Sequence, residues 1–134
     1  MMLRLALAAL LLSTGIARAE CPLELGLGSG WVVFSTSHMI AFRPDPLAIE
    51  VGAPFALILN VCTKKGEPAE LLAVDAIMPE HKHGMNYRPT VVPGKDGRYR
   101  AEGFLFHMPG RWEVNFDVRS GGGNERLSHD IILK

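Results

Sequence analysis

The chain has 134 residues, a formal net charge of zero at pH 7, 48% hydrophobic residues and 21% charged residues. This composition excludes an intrinsically disordered chain, which has few apolar residues and a large net charge. It also offers no block of basic residues of the kind that binds nucleic acid or an anionic membrane. We therefore expect a globular protein with a hydrophobic core, and we expect neither nucleic acid nor a membrane surface as its partner.

Residues 1–19 have the pattern of a secretory signal peptide. Arg4 precedes an apolar run at residues 5–12, and the small-residue sequence Ala17-Arg18-Ala19 follows that run. The run is too short to cross a bilayer, which takes about 20 apolar residues. We predict cleavage after Ala19 and a periplasmic mature chain, residues 20–134, that forms one domain without a membrane span.

The two cysteines are Cys21 and Cys62. Thiols that enter an oxidising compartment usually pair. A bridge between them closes a loop of about 40 residues, worth roughly 3–4 kcal/mol in the loop-entropy description. We predict this disulfide, and the alternative is that one or both thiolates bind a metal.

Strand-like segments alternate with turn residues along the mature chain, and no segment keeps the 3.6-residue period of a helix. In chain order, the predicted strands are residues 31–36, 47–51, 55–61, 70–77, 90–92, 98–106, 111–119 and 126–133. Residues 111–119 give the clearest signal, because apolar and polar side chains alternate there without a break. About seven short strands in about 115 residues predict an all-β fold, an immunoglobulin-like antiparallel β-sandwich. A small closed barrel is the alternative.

Four of the six methionines lie within three residues of a histidine. These neighbours occur in His38-Met39, in Met78-Pro79-Glu80-His81-Lys82-His83-Gly84-Met85 and in His107-Met108. Imidazole and thioether together select copper, above all Cu(I), because soft sulfur favours a soft ion. The sequence therefore predicts a copper site.

The segment at residues 78–85 is the densest part of this pattern. In an extended chain residues two apart point to the same side, so His81, His83 and Met85 can converge on one ion. In a meander, the end of the strand predicted at residues 98–106 can lie beside this segment and add His107 or Met108. We predict as metal ligands His81, His83, Met85, His107 and Met108, with His38, Met39 and Met78 as secondary candidates.

Several of these residues also have a structural interpretation. Met is common core filler, so core packing is the alternative for Met78 and Met39. His129 has no methionine neighbour, and we expect it to be a hydrogen-bonded structural histidine. Glu80 could orient a ligand histidine from outside the metal's coordination sphere, or it could be a solvated charge.

The stretch from Met78 to Val118 resembles the YtkA-like domain family, which is related to FixH-type proteins. The motifs that carry the resemblance are Met-Pro-Glu-His-Lys-His-Gly-Met at 78–85, Gly-Arg-Tyr-Arg-Ala-Glu-Gly at 97–103 and His-Met-Pro-Gly-Arg-Trp at 107–112. The resemblance implies an immunoglobulin-like β-sandwich outside the cytoplasm. It also implies a link to copper handling or oxidase assembly, with His83, Met85, His107 and Met108 as the residues carried over.

From these observations we expect a periplasmic copper-binding protein that delivers copper to a periplasmic or membrane protein, or keeps it sequestered. Zinc bound by His81, His83 and His107 is the alternative metal. A periplasmic interaction or assembly module without a metal is the alternative function. The sequence contains no nucleophile elbow, no acid pair at catalytic spacing and no zinc-hydrolase motif, so we do not expect an enzyme.

Overall fold

The computed structural model describes residues 21–26, 30–121 and 123–134. The predicted signal peptide, residues 1–19, lies outside the described residues. The described part of the chain forms nine β-strands. These ranges contain no helix that is long and apolar enough to cross a membrane.

The strands range from two residues in β5 to 11 residues in β8 and β9. Their bounds are β1 Trp31–Phe34, β2 His38–Asp45, β3 Pro54–Thr63, β4 Glu70–Met78, β5 His83–Gly84, β6 Thr90–Pro93, β7 Arg98–Leu105, β8 Gly110–Ser120 and β9 Gly123–Leu133.

The strands form two antiparallel sheets. One sheet has the order β1-β2-β3-β7-β6 and the other has the order β5-β4-β8-β9. The two sheets pack against each other as a β-sandwich, and the immunoglobulin-like assignment stays a prediction. The prediction of an all-β sandwich is confirmed, with more strands among the described residues than the expected seven.

The core lies between the two sheets and is rich in aromatic rings. Phe42 on β2 packs against Phe116 on β8 across the sandwich, with ring centroids 4.8 Å apart. Both side chains are fully buried, as is Trp112 on the same face of β8. Burying a large apolar side chain contributes about 1.5–3 kcal/mol, so these rings account for much of the attraction between the sheets.

Two segments between residues 38 and 53 differ from the sequence prediction. Strand β2 was not predicted, because Pro44 and Asp45 are typical turn residues. Pro44 lies beyond the end of β1, where β2 has only β3 as a neighbour, and a strand tolerates a proline there. The strand predicted at residues 47–51 is wrong, since β2 and β3 pair directly and this segment is their connecting loop. Its apolar side chains have no partner strand, and Leu47 is 52% exposed.

The predicted disulfide between Cys21 and Cys62 is present, with Cα atoms 5.9 Å apart. It joins the segment before β1 to β3, where Cys62 is fully buried. The N–H of Cys21 also donates to the carbonyl of Gly66 at 3.0 Å. The N-terminal segment is thereby attached to the first sheet, and neither sulfur is a thiolate that could bind a metal.

We expect the double substitution Cys21→Ser and Cys62→Ser to lower the free energy of unfolding by roughly 3–4 kcal/mol, because the unfolded chain regains the entropy of an open loop. Urea denaturation of both proteins measures this difference. The wild type under reducing conditions is the control, and its midpoint should fall to that of the double variant. Equal midpoints for the oxidised wild type and the variant would contradict the prediction.

His129 lies on the inward face of β9 and contacts aromatic rings. Its ring centroid is 5.5 Å from that of Trp31 and 5.3 Å from that of Phe42. Burial against these rings lowers the pKa of His129, and the nearby carboxylate of Asp130 offsets only part of this effect. These contacts support a structural role for His129. Its described contacts are with aromatic rings, and the expected hydrogen bond is not among them.

The lowered pKa of His129 predicts a loss of stability on acidification. As the pH falls from about 6.5, the ordinary histidine value, the unfolded state takes up a proton before the folded state does. Stability is therefore complete above about pH 6.5 and is lost as the pH falls through the lower folded pKa. His129→Gln removes this contribution, so the stability difference between wild type and variant should change between pH 7.5 and pH 5. A difference that is the same at both pH values, measured by urea denaturation, would contradict this assignment.

Candidate metal site

The first half of the predicted site is the hairpin that joins β4 to β5. Met78 pairs with His83 at its base, and the N–H of His81 donates to the carbonyl of Met78 at 3.1 Å. Lys82 has a positive φ of 55° in this turn. His81 therefore lies in a turn, and the alternation expected from an extended segment begins only at His83. Opposed residues in an antiparallel pair share a face, so His83 lies beside the buried side chain of Met78.

The second half is the connection from β7 to β8, where the chain crosses from the first sheet to the second. The ring of Phe106 stacks on the indole of Trp112, with centroids 4.5 Å apart and planes 6° from parallel. The indole N–H of Trp112 donates to the carbonyl of Met108 at 3.0 Å. These two contacts hold the crossing in place, and His107 lies between them.

The structure brings three of the predicted ligands together, and we call His81, His83 and His107 the histidine cluster. The ring centroid of His83 is 5.7 Å from that of His81 and 5.2 Å from that of His107. The indole of Trp112 meets His83 and His107 edge to face, at 6.2 Å and 5.5 Å. The two halves of the predicted site therefore meet over Trp112 at one end of the sandwich.

The ring nitrogens of two of these histidines have distinct environments. Nδ1 of His83 lies 3.1 Å from the carbonyl oxygen of Gly84. Because a carbonyl only accepts, this Nδ1 donates and the lone pair is on Nε2. Nδ1 of His107 is buried and has no hydrogen-bond partner among the described residues. An unpartnered buried polar atom costs about 1–3 kcal/mol, so a ligand at the His107 ring would relieve a cost that the fold otherwise carries.

Three methionines lie at the same end of the sandwich. Met78 is 1% exposed and belongs to the core, as the packing interpretation expects. Its methyl group lies so close to Gly110 that a Cβ there would come within 2.8 Å of it. Met85 and Met108 are half-buried and pack against the core. They follow His83 and His107 by two residues and by one residue in the chain.

Within the described ranges, no three side chains from His, Cys, Asp and Glu are arranged so that they could hold a metal ion. The histidine cluster by itself is therefore not a preformed site of the kind that the zinc alternative requires.

Glu80 belongs to an ion-pair network beside the histidine cluster. Its carboxylate accepts from Nε of Arg111 at 2.7 Å, and Nη1 of Arg111 donates to Asp130 at 3.1 Å. The hydrogen bond from Arg111 is the main reason that the pKa of Glu80 lies below its ordinary value. Glu80 is thus engaged with Arg111 instead of a ligand histidine. The network connects the β4–β5 turn to β8 and β9, although exposed ion pairs contribute little to stability.

The secondary candidates His38 and Met39 lie at the other end of the sandwich. His38 is 2% exposed, and its ring nitrogens contact Ser120 at the end of β8 and Glu125 on β9. The histidine cluster lies at the start of β8, and a strand of this length spans about 30 Å. The structure therefore does not bring His38 and Met39 to the cluster.

No protein-family model, no curated protein and no solved structure matches this chain. The resemblance to the YtkA-like domain family therefore stays a prediction that rests on the motifs at residues 78–85, 97–103 and 107–112. The described residues provide two imidazoles over an indole, and one of the imidazoles has a buried nitrogen without a hydrogen-bond partner among them. Met85 and Met108 are half-buried against the core.

Proposed function

We propose that this protein binds Cu(I) at the end of the sandwich where the β4–β5 hairpin meets the β7–β8 connection. We further propose that it delivers or sequesters copper in the periplasm. The proposed ligands are drawn from His83, Met85, His107 and Met108, with His81 at the exposed side. The observation that carries the proposal is the buried Nδ1 of His107, which has no hydrogen-bond partner among the described residues and belongs to a ring 5.2 Å from that of His83.

The ring of His83 has the hydrogen bonding of a typical metal ligand. Metal-binding histidines usually donate one ring N–H to a carbonyl or carboxylate, which fixes the tautomer and leaves the other nitrogen free. The carbonyl of Gly84 plays this role for His83 at 3.1 Å. His107 adds a second nitrogen in a desolvated position, and its ring lies 5.2 Å from that of His83.

Thioether sulfur decides the choice of metal. Met85 and Met108 are half-buried and pack against the core, each within two residues of a histidine in the chain, and soft sulfur favours Cu(I) over harder divalent ions. Neither thioether nor neutral imidazole has to lose a proton before it binds. When bound, copper would be cargo held by neutral ligands, which suits transfer to a partner protein.

The position of the site also suits a carrier. It lies at the end of the sandwich, where His81 is exposed and the ring of His83 is only half-buried. A receiving protein could therefore approach from this side and replace the ligands one at a time. We propose a carrier role for this site instead of a catalytic one.

Export to the periplasm is part of the proposal. The disulfide between Cys21 and Cys62 supports an oxidising compartment, because cytosolic proteins seldom keep such bonds. The signal-like pattern at residues 1–19 and the resemblance to the YtkA-like domain family point in the same direction.

The proposal is tested by an anaerobic Cu(I) titration of the purified protein against a chromophoric competitor. We expect one tightly bound Cu(I) per chain. The double substitution His83→Ala and Met85→Ala should weaken binding at least about tenfold, because it removes one nitrogen and one sulfur ligand. Met39→Leu and His129→Gln are matched controls, since they change a methionine and a histidine outside the cluster, and both should bind as the wild type does.

Three results would contradict parts of this proposal. Binding that is unchanged in the double variant would show that the copper site lies elsewhere. Tight zinc binding that survives Met85→Leu and Met108→Leu, together with weak Cu(I) binding, would favour a zinc site of His81, His83 and His107. Absence of binding of either metal would favour the interaction module.

A further inference from the structure

A second polar cluster lies at the opposite end of the sandwich, and we call Ser120, His38 and Glu125 the serine cluster. Nε2 of His38 is 3.0 Å from Oγ of Ser120. Nδ1 of the same ring is 3.3 Å from Oε1 of Glu125. The three residues come from the end of β8, the start of β2 and the beginning of β9.

The chemistry of the three groups determines the direction of both hydrogen bonds. An ionised carboxylate only accepts, so Nδ1 of His38 carries the proton and donates to Glu125. Nε2 then has the lone pair and accepts from the hydroxyl of Ser120. Hydroxyl to imidazole to carboxylate, in this order, is the arrangement that activates a serine nucleophile.

The base of this cluster is held rigidly. The side chain of His38 is 2% exposed, and its backbone N–H donates to Oγ of Ser35 at 2.9 Å. Its ring is therefore fixed between two partners in a desolvated position, where hydrogen bonds and charges act more strongly than in water.

Ser120, in contrast, is half-buried and lines a cleft of about 470 Å³. Gly121 follows it and lines the same cleft. Apart from its chain neighbours, a Cβ at Gly121 would meet no atom of the described residues within 4 Å. Lys64 and Lys65 line the same cleft together with Glu67. Both lysines contribute to a polar lining, and Nζ of Lys64 lies over the ring of Phe34, 4.4 Å from its centroid.

We propose that Ser120 is a nucleophile and that this cleft hydrolyses small polar carboxylic esters. Oγ of Ser120 bonds to the ester carbonyl carbon while its proton passes to Nε2 of His38. The ester C–O bond then breaks, and the imidazolium returns that proton to the departing alcohol. Water repeats the sequence on the acyl-serine, which releases the carboxylic acid and restores Ser120. Glu125 keeps the imidazole in the required tautomer throughout.

This site is independent of the proposed copper site, which lies at the other end of β8. It would also replace the expectation that the protein is not an enzyme. The sequence pattern could not indicate it, because His38 is 82 residues from Ser120 and 87 residues from Glu125.

The test is covalent labelling of the purified protein with a fluorophosphonate, which reacts with activated serines, followed by peptide mass spectrometry. We expect labelling at Ser120 and turnover of p-nitrophenyl acetate. Ser120→Ala should reduce both to background. Glu125→Gln keeps the size of the side chain and should lower both rates about a hundredfold, since the base loses its orienting carboxylate. Ser128→Ala is the matched control, a change of a serine on β9 outside the serine cluster, and should react as the wild type does.

The melting temperature of each variant separates chemistry from folding. Labelling lost in Ser120→Ala and reduced in a folded Glu125→Gln would establish the nucleophile. Absence of labelling in the wild type would overturn the proposal. The cluster would then be a set of structural hydrogen bonds between β2 and the β8–β9 hairpin. Labelling that is equal in the wild type and in folded Glu125→Gln would overturn the proposed role of the cluster.

Discussion

The packing of Trp112 is the interaction on which one end of this molecule depends. Its indole is fully buried, stacks on Phe106 and donates to the carbonyl of Met108. A single side chain on the second sheet therefore fixes the path by which the chain arrives from the first sheet. The same ring is the surface against which His83 and His107 rest. The packing of Trp112 in the core therefore also determines where the candidate ligands His83 and His107 lie.

The parts of the fold that the sequence could predict are those where one local rule applies. Residues 111–119 alternate apolar and polar side chains, and the corresponding strand β8 is found with nearly the same bounds. The sequence does not predict strand β2, because Pro44 and Asp45 are typical turn residues and their position in the sheet is known only from the fold. A proline is acceptable at Pro44 because β1 does not pair with β2 at this residue. The neighbouring residues in the sequence do not indicate where that pairing ends.

The sequence predicts more of the histidine cluster than of the serine cluster. The closeness of histidine and methionine along the chain indicates the candidate ligands at residues 83–85 and 107–108, because neighbours in the chain stay neighbours in the fold. Their meeting over Trp112 depended on the order of strands in two sheets. The contact of His38 with Ser120 and Glu125 depends on register across both sheets, and no short pattern records it.

The length of β8 has a further consequence. Its two ends carry the histidine cluster and the serine cluster, separated by about 30 Å of continuous strand. Substitutions that share no partners and lie more than about 10 Å apart usually have additive effects on free energy. Each end can therefore acquire or lose its polar groups without disturbing the other, so the sandwich is a scaffold on which two chemistries could be altered separately.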